Sequence, residues 1–463
     1  MAAPPAAADA AVEALTRELG RERVTAGADE RRRHGTDESF HPGVPPDAVV
    51  YPESVEQAAT VVRVCAEHRV PIVPFGAGTS LEGQIAALRG GISVDMSRMD
   101  RVLELSVADL DVQVQAGVTR RGLDRRLRPE GVFFPVDPGA DATLGGMIAT
   151  GASGTTTVRY GAMRENVLSL LVIGADGEPV RTRSRARKSS AGYDLTRLFI
   201  GSEGTLGLIC EATLRVHPTP EAMAAATCHF PSLADAVACA VDVGAHGVPV
   251  ARMELADELT VHAINAFDGL DLPVAPALFL EFHGAPGEVT AQAEEVRAIA
   301  EGHGARDFRA ASDEDERRAL WHARHRAYDA TRALRPGAGG LTTDACVPLS
   351  RLAGVLVETQ ADIAEHGLQA SLLGHVGDGN FHACVLVDPE DEAELAAANA
   401  FHERVVRRAL AAGGTCTGEH GVGYGKARFL EEEHGPGGVA MMRAVKQALD
   451  PLGLFNPGKL GLG

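Results

Sequence analysis

With 463 residues the chain is too long for one ordinary hydrophobic core, and two or three domains are expected. Its 63 acidic residues outweigh 44 basic ones, a net charge of −19 that argues against a nucleic-acid partner. The seven cysteines (65, 210, 228, 239, 346, 384, 416) are odd in number, scattered and never in a CxxC pair, which reads as reduced thiols in a cytoplasmic compartment.

The first eleven residues lack the basic and apolar regions of a secretory signal, and no apolar run is long enough to span a bilayer. A cytoplasmic protein is expected, at most peripheral on the inner face of a membrane. Residues 12–19 read as a short helix and 31–33 as a solvated arginine run. Residues 49–51 read as a strand, and Ser54 followed by Gln57 is a capping box opening a helix to about His68. Strands follow at 70–75 and 92–96, and the alternation of Val112, Val114, Ala116 and Val118 predicts a half-buried strand to 118.

Residues 137–154 read as a long glycine-rich loop, of a length that is usually functional. Asp176-Gly177 predicts a hairpin between strands at 168–174 and 180–182. A strand at 208–216 precedes Pro218 and Pro220, which mark a domain boundary. The second half alternates strands (227–230, 250–255, 277–282, 344–348, 383–387) with helices (233–246, 289–302, 314–334, 352–366, 390–411). Ser312 with Asp315 caps the third of these helices. The basic stretch 181–188 reads as a solvated loop. The class is α+β.

Three glycine clusters, at 76–83, 139–154 and 201–207, fall in the first half. Glycine costs conformational entropy, and its usual justification is close approach of backbone to a ligand, with successive N–H groups making a nest for phosphate oxygens. One such loop is as often a plain tight turn; three favour a ligand. Gly76-Ala77-Gly78 lacks the Rossmann spacing, residues 421–427 fall one residue short of a Walker loop, and there is no G-x-S-x-G elbow.

In the second half, His375 and His382 bracket the turn Val376-Gly377-Asp378-Gly379-Asn380-Phe381, and Gly418-Glu419-His420-Gly421 follows. Two imidazoles and a carboxylate suit an open metal site, with His420 left over as an acid or base. Asp378 and Asn380 more naturally shape the turn or orient the rings. Any one of these histidines alone is more often a hydrogen-bonded structural residue, and the set fits a hydrolase as well as a redox enzyme.

Pro74-Phe75-Gly76-Ala77-Gly78-Thr79-Ser80, Pro138-Gly139 with Gly145-Gly146, and Gly201-Ser202-Glu203-Gly204-Thr205-Leu206-Gly207 resemble the PCMH-type FAD-binding domain of the vanillyl-alcohol-oxidase superfamily. The second half resembles the FAD-linked D-2-hydroxy-acid dehydrogenases, cytochrome-type D-lactate dehydrogenases among them. The stretches that carry it are Leu320-Trp321-His322-Ala323-Arg324-His325, Thr343-Asp344-Ala345-Cys346-Val347-Pro348, residues 374–382 and 414–421, and Leu449-Asp450-Pro451-Leu452-Gly453-Leu454-Phe455-Asn456-Pro457-Gly458-Lys459. The resemblance implies an N-terminal segment (1–46), a two-subdomain FAD domain (47–220), an α+β, ferredoxin-like substrate or cap domain (221–420), and a C-terminal segment (421–463) returning to the flavin.

Cofactor contacts are then expected from Pro74, Gly76, Ala77, Gly78, Thr79, Ser80 and Gly83; from Pro138, Gly139, Thr143, Gly145, Gly146, Gly151, Ser153 and Gly154; from Glu203, Gly204, Gly207 and Ile209; and from Asn456. Residues 70–83 contain no His or Cys, so FAD is expected to be non-covalent. The positions matching His375, His382 and Glu419 hold a divalent metal in related enzymes (Zn, Mn or Fe by ligand type). His420 matches the catalytic histidine, and Arg324 a substrate-binding arginine, with Arg332 second; the alternative for both arginines is a solvated helix face.

Relatives acting on D-2-hydroxyglutarate carry a lysine where this chain has Thr342, which favours a monocarboxylate such as D-lactate. The resemblance implies a non-oxygen electron acceptor: cytochrome c, a quinone or an electron-transfer flavoprotein. The alternatives are a glycolate oxidase flavin subunit, a D-2-hydroxyglutarate dehydrogenase, a flavoprotein that only binds or scaffolds and, from another class, a metal-dependent hydrolase with a nucleotide-binding domain.

Overall fold

The computed structural model describes residues 5–311 and 313–462, so residues 1–4 and Ser312, the expected helix cap, lie outside the described residues. The chain divides into two compact units, one of 1–153, 161–219 and 419–463 and the other of 154–160 and 220–418.

The first unit holds two sheets. Val24–Thr25, Ala48–Val50, Ile92–Asp95 and Ile72–Phe75 form a four-stranded sheet, antiparallel at its first pair and parallel thereafter. Helices Pro5–Leu19 and Val55–His68 cover it through Leu15, Val61, Val62 and Cys65. Ser54 caps the second of these helices by accepting from the Gln57 N–H, and Gln57 Oε1 accepts from the Glu53 N–H at 2.8 Å, so the box closes one residue early. The chain returns at its C-terminus: Ile72 N–H donates to Leu454 O at 2.8 Å and Asn456 N–H to Ile72 O at 2.7 Å. The second sheet is antiparallel, in the order Val102–Ser106, Asp111–Gln115, Leu208–Arg215, Val167–Ile173 and Pro179–Arg181.

Two sequence expectations change here. Strand Asp111–Gln115 is interior to its sheet and mostly buried on both faces rather than half-buried. The arginine run lies in helix Ala28–Arg33, with Arg32 and Arg33 exposed as expected. The supposed loop 137–154 contains helix Leu144–Thr150, because Thr143 caps it by accepting from the Gly146 N–H and Gly151 ends it in the left-handed region. The basic stretch 181–188 is largely exposed, as expected, with Arg185 pairing with Asp111 at 2.6 Å and Asp109 at 3.1 Å.

The second unit is one antiparallel sheet. Its first four strands run in the order Arg306–Ala311, Ala222–His229, Ala277–Gly284, Arg252–Ala256, with helices Leu233–Ala245 and Pro286–Gly302 as crossovers. That is the ferredoxin-like arrangement. Ala370–Gly374, Asn380–Val387 and Gly339–Thr342 extend it, and Ala345–Cys346 also pairs with Asn380–Val387.

Period-2 alternation splits the sheet into unlike faces. Leu278, Leu280, Phe282, Met253 and Leu255 face one apolar core with the crossover helices, together with Leu352 and Phe401 from Leu349–Glu365 and Glu392–Ala411. The opposite face carries Phe279 and Ala256 against Val261, Ile264 and Trp321, and then polar residues. The single helix expected at 314–334 is two, Glu314–His325 and Ala327–Ala333. Arg326 leaves helical geometry between them (φ −94°, ψ 8°), with its guanidinium on Asp268 at 2.9 Å. Asp313 caps the first of the two.

Candidate active site

In the first unit the three glycine clusters converge. A Cβ on Gly76 would lie 2.2 Å from Thr143 Oγ1, and one on Gly204 would lie 2.7 Å from the Pro74 ring. Gly201 and Glu203 donate their N–H groups to Ile148 O and Ala149 O. Asn456 ties the C-terminal segment to two of the loops, its Nδ2 donating to Gln84 O at 3.0 Å and Glu203 O at 2.7 Å.

The glycines serve two different ends. Gly145 is required by packing, since a Cβ would sit 2.7 Å from Ala116 Cβ, and Gly207 likewise abuts Ile173 O at 2.8 Å. A Cβ on Gly83 would lie 2.2 Å from Tyr424 Cε1. A Cβ on Gly139 or Gly201 would meet nothing within 4 Å, so the space beside each is open, although the Gly201 N–H is already engaged. Gly78 is held at φ 74°. The N-terminus of helix Leu144–Thr150 is satisfied within the protein, the N–H groups of Leu144, Gly145 and Gly146 donating to Val118 O, Ala116 O and Thr143 Oγ1. Ala77 is exposed and Thr79 half-buried, while the Ser80 hydroxyl is engaged by Asp37 at 2.9 Å. Ile209 is buried in its strand opposite Val172. Gly154 falls in the second unit, its N–H capped by Thr157 Oγ1 at 3.0 Å.

The segment bearing Glu419 and His420 also belongs to the first unit. Ser153 Oγ donates to Glu419 Oε2 at 2.6 Å, and Gln84 Nε2 donates to His420 O at 2.8 Å. Glu203 accepts the N–H groups of Val422 at 2.6 Å and Gly423 at 2.8 Å. Gly421 must be glycine, since φ is 80° and a Cβ would stand 2.5 Å from Glu203 Oε1. Burial pushes the Glu203 carboxyl up to about 7, against the two backbone donors and nearby Lys459, which lower it. Burial also brings Lys459 down to about 8, an effect Glu203 opposes. Glu203 and Ser153, expected on the cofactor, thus hold the Glu419–His420 segment through their side chains.

In the second unit the polar face of the sheet gathers the rest. Leu255 pairs with Gly374 and Leu373 with His382, which puts Glu254, His375 and His382 on one face. The rings of His375 and His382 meet edge to face with centroids 5.6 Å apart. His375 Nδ1 lies 2.7 Å from Glu254 Oε1, and His382 Nδ1 lies 3.1 Å from Thr343 O. Carboxylate and carbonyl oxygens only accept, so both protons sit on Nδ1 and Nε2 is the basic nitrogen of each ring, the tautomer a metal ligand needs.

Arg324, buried, donates from Nη2 to Glu254 Oε2 at 2.6 Å. Its Nε is buried without an acceptor among the described residues, a donor that a bound anion would satisfy. Its helix docks through Trp321, over which the Arg252 guanidinium stacks at 4.7 Å. Arg332 is not part of this cluster: it lies over Tyr328 at 5.7 Å and reaches Ala338 O at 3.5 Å.

The turn between the histidines is fixed from within. A Cβ on Gly379 (φ 81°) would lie 2.1 Å from Val347 O, and Asn380 Nδ2 donates to Asp344 Oδ1 at 2.7 Å. Asp344 also accepts from Thr417 Oγ1 at 2.6 Å and Gly418 N–H at 2.8 Å, which delivers the chain to Glu419. Thr342 pairs with Cys384, placing it on the face of His382. Glu254 is the residue sequence reasoning missed. Its signal was a lone carboxylate at a strand position between buried Met253 and Leu255.

Comparison with known proteins shows the family. Residues 219–460 match the family described as FAD linked oxidases, C-terminal domain, and residues 46–183 match an FAD binding domain. The chain is 48% identical to the probable mitochondrial D-lactate dehydrogenase of Danio rerio, covering 99% of this chain and 93% of that protein. It is 45% identical to the mitochondrial D-lactate dehydrogenase [cytochrome] of Arabidopsis thaliana, over 94% and 77%. It is 34% identical to the glycolate oxidase subunit GlcD of Bacillus subtilis, over 90% and 89%.

The fold is that of the 4-ethylphenol oxidase from Gulosibacter chungangensis, at TM-score 0.83, 18% identity and 99% and 98% coverage.

The cytoplasmic expectation is overturned, because the Danio and Arabidopsis relatives are both named mitochondrial. The seven cysteines form no disulfide among the described residues, which does not identify an organelle. No helix among the described residues is long and apolar enough to cross a membrane. With an FAD-binding domain followed by the C-terminal domain of the FAD linked oxidases, the chain belongs to that family and is an FAD-linked oxidoreductase acting on CH–OH donors.

Proposed function

We propose that this chain oxidises a D-2-hydroxy acid, D-lactate first among them, to the 2-oxo acid. Residues 47–220 with the 421–463 segment would bind FAD without a covalent link, and 221–420 would bind substrate. FAD, when bound, supplies the hydride acceptor, N5 of its ring.

The observation that carries the reading is the second unit's polar face: two imidazoles with basic Nε2 atoms, and beside them an arginine with a buried donor lacking an acceptor. Imidazoles of that tautomer fit a divalent cation, and with Glu419 they would complete a two-histidine, one-carboxylate set for Zn, Mn or Fe. Such a cation supplies Lewis acidity that eases loss of the substrate's hydroxyl proton. Arg324 binds the substrate carboxylate through the planar fork that suits it. His420 takes the hydroxyl proton. Thr342 offers no charge for a distal carboxylate, which supports a monocarboxylate over D-2-hydroxyglutarate.

The acceptor reading follows the Arabidopsis relative, which is named for cytochrome; a quinone or an electron-transfer flavoprotein are the other acceptors to assay. Turnover of D-lactate, glycolate and D-2-hydroxyglutarate with an artificial acceptor, before and after chelation, tests the proposal. D-lactate should be best and the chelator should abolish it. Glycolate turned over much faster would replace this reading with that of a glycolate oxidase subunit, as the Bacillus relative is named. Full activity after chelation would remove the cation.

A further inference from the structure

Glu254 is fully buried, and both of its oxygens are engaged by groups assigned to different tasks. Oε1 accepts from His375 Nδ1 at 2.7 Å and Oε2 from Arg324 Nη2 at 2.6 Å. It stands on the interior strand Arg252–Ala256, between Ala277–Gly284 and Ala370–Gly374, so backbone pairing on both sides fixes where it points. His375 follows Ala370–Gly374 directly, one register step beyond the Leu255–Gly374 pair. Arg324 comes from a separate helix, Glu314–His325, in its last turn.

A buried charged pair is weak evidence for stability, and a sheet position flanked by Met253 and Leu255 would accept an apolar residue. What the carboxylate does supply is geometry. It holds the proton of His375 on Nδ1, sets the ring's rotation, and clamps one arm of the Arg324 fork.

We propose that Glu254 is a positioning residue that couples the anion-binding Arg324 to His375 as a cation ligand, so that neither reaches its working orientation alone. The inference rests on the reading that His375 binds a cation. A carboxylate behind a ligating imidazole raises the ring's basicity and fixes its tautomer, and loss of such a partner typically lowers metal affinity about 10–100-fold. The coupling has a consequence that a plain ion pair lacks: altering Arg324, which ligates nothing, must weaken cation binding through Glu254.

The test is titration of the chelated, FAD-loaded full-length protein with Zn²⁺, read by calorimetry, for the wild type, Glu254→Gln, Arg324→Gln and the double variant. Expected are Zn²⁺ affinities about 10–100-fold lower for Glu254→Gln, a smaller loss for Arg324→Gln, and a double variant no worse than Glu254→Gln. The double variant buries no unpaired charge and keeps the test valid should a single variant fail to fold. Wild-type Zn²⁺ affinity in both Glu254→Gln and the double variant overturns the positioning role alone. A wild type that binds no Zn²⁺ overturns the cation reading of His375, and the coupling with it.

Discussion

The two units hold their key residues by opposite means. In the first, side chains grip backbone: Glu203 takes two N–H groups, Gln84 and Asn456 reach carbonyls, and the space a side chain would fill at Gly139 and Gly201 is left open. In the second, charged side chains grip one another across a sheet face, with Glu254 between Arg324 and His375. Backbone grips need short runs with glycine at fixed places. Side-chain grips need only a register, and can join residues far apart in sequence.

That contrast explains what could be read from the sequence. The glycine clusters were legible because a close approach must be written locally, as Gly421 and Gly145 show. Helix Leu144–Thr150 was not, because glycines at 145 and 146 argue for a loop while Thr143 and the packing on Ala116 decide for a helix. His375 and His382 were visible as a bracketed turn. Glu254 was not, because only the pairing of Leu255 with Gly374 brings it beside His375. Arg324 looked like one charge among many on a polar helix, and Trp321 three residues earlier shows which face is buried.

Six substitutions probe the contrast, in falling order of effect. His420→Ala should cut kcat about 10²–10⁴-fold, with the flavin spectrum and bound metal unchanged, whereas His382→Ala should lose metal and turnover together. Elemental analysis beside steady-state rates distinguishes them.

Glu203→Gln tests the backbone grip by pH. Because burial raises the folded-state carboxyl from 4.5 to about 7, its contribution to stability is fully present below the unfolded value and is lost as pH rises through about 7. That shift corresponds to about 3 kcal/mol. Urea unfolding of the wild type should show this decline across the window, and the Gln variant should lose that part of it.

Arg324→Lys keeps the charge but removes the fork. A loss of about 1.5–3 kcal/mol is expected in kcat/KM for D-lactate, with FAD content unchanged. An unchanged kcat/KM would return Arg324 to a purely structural role.

The smallest effects separate the two kinds of glycine. Gly145→Ala must displace Ala116 and should cost about 1–3 kcal/mol of stability. Gly139→Ala meets no neighbour, should change stability by under about 0.5 kcal/mol, and should weaken FAD binding measured by fluorescence. If Gly139→Ala binds FAD as the wild type does, that loop is a turn and not a cradle.

The central proposal is that the chain oxidises a D-2-hydroxy acid with bound FAD, His420 taking the hydroxyl proton. Anaerobic mixing of the FAD-loaded protein with D-lactate, followed in the visible flavin bands, tests it most directly. The account predicts rapid bleaching by D-lactate, none by L-lactate, and loss of the D-lactate response in His420→Ala. A yellow protein that neither D-lactate nor any other small 2-hydroxy acid bleaches would contradict it.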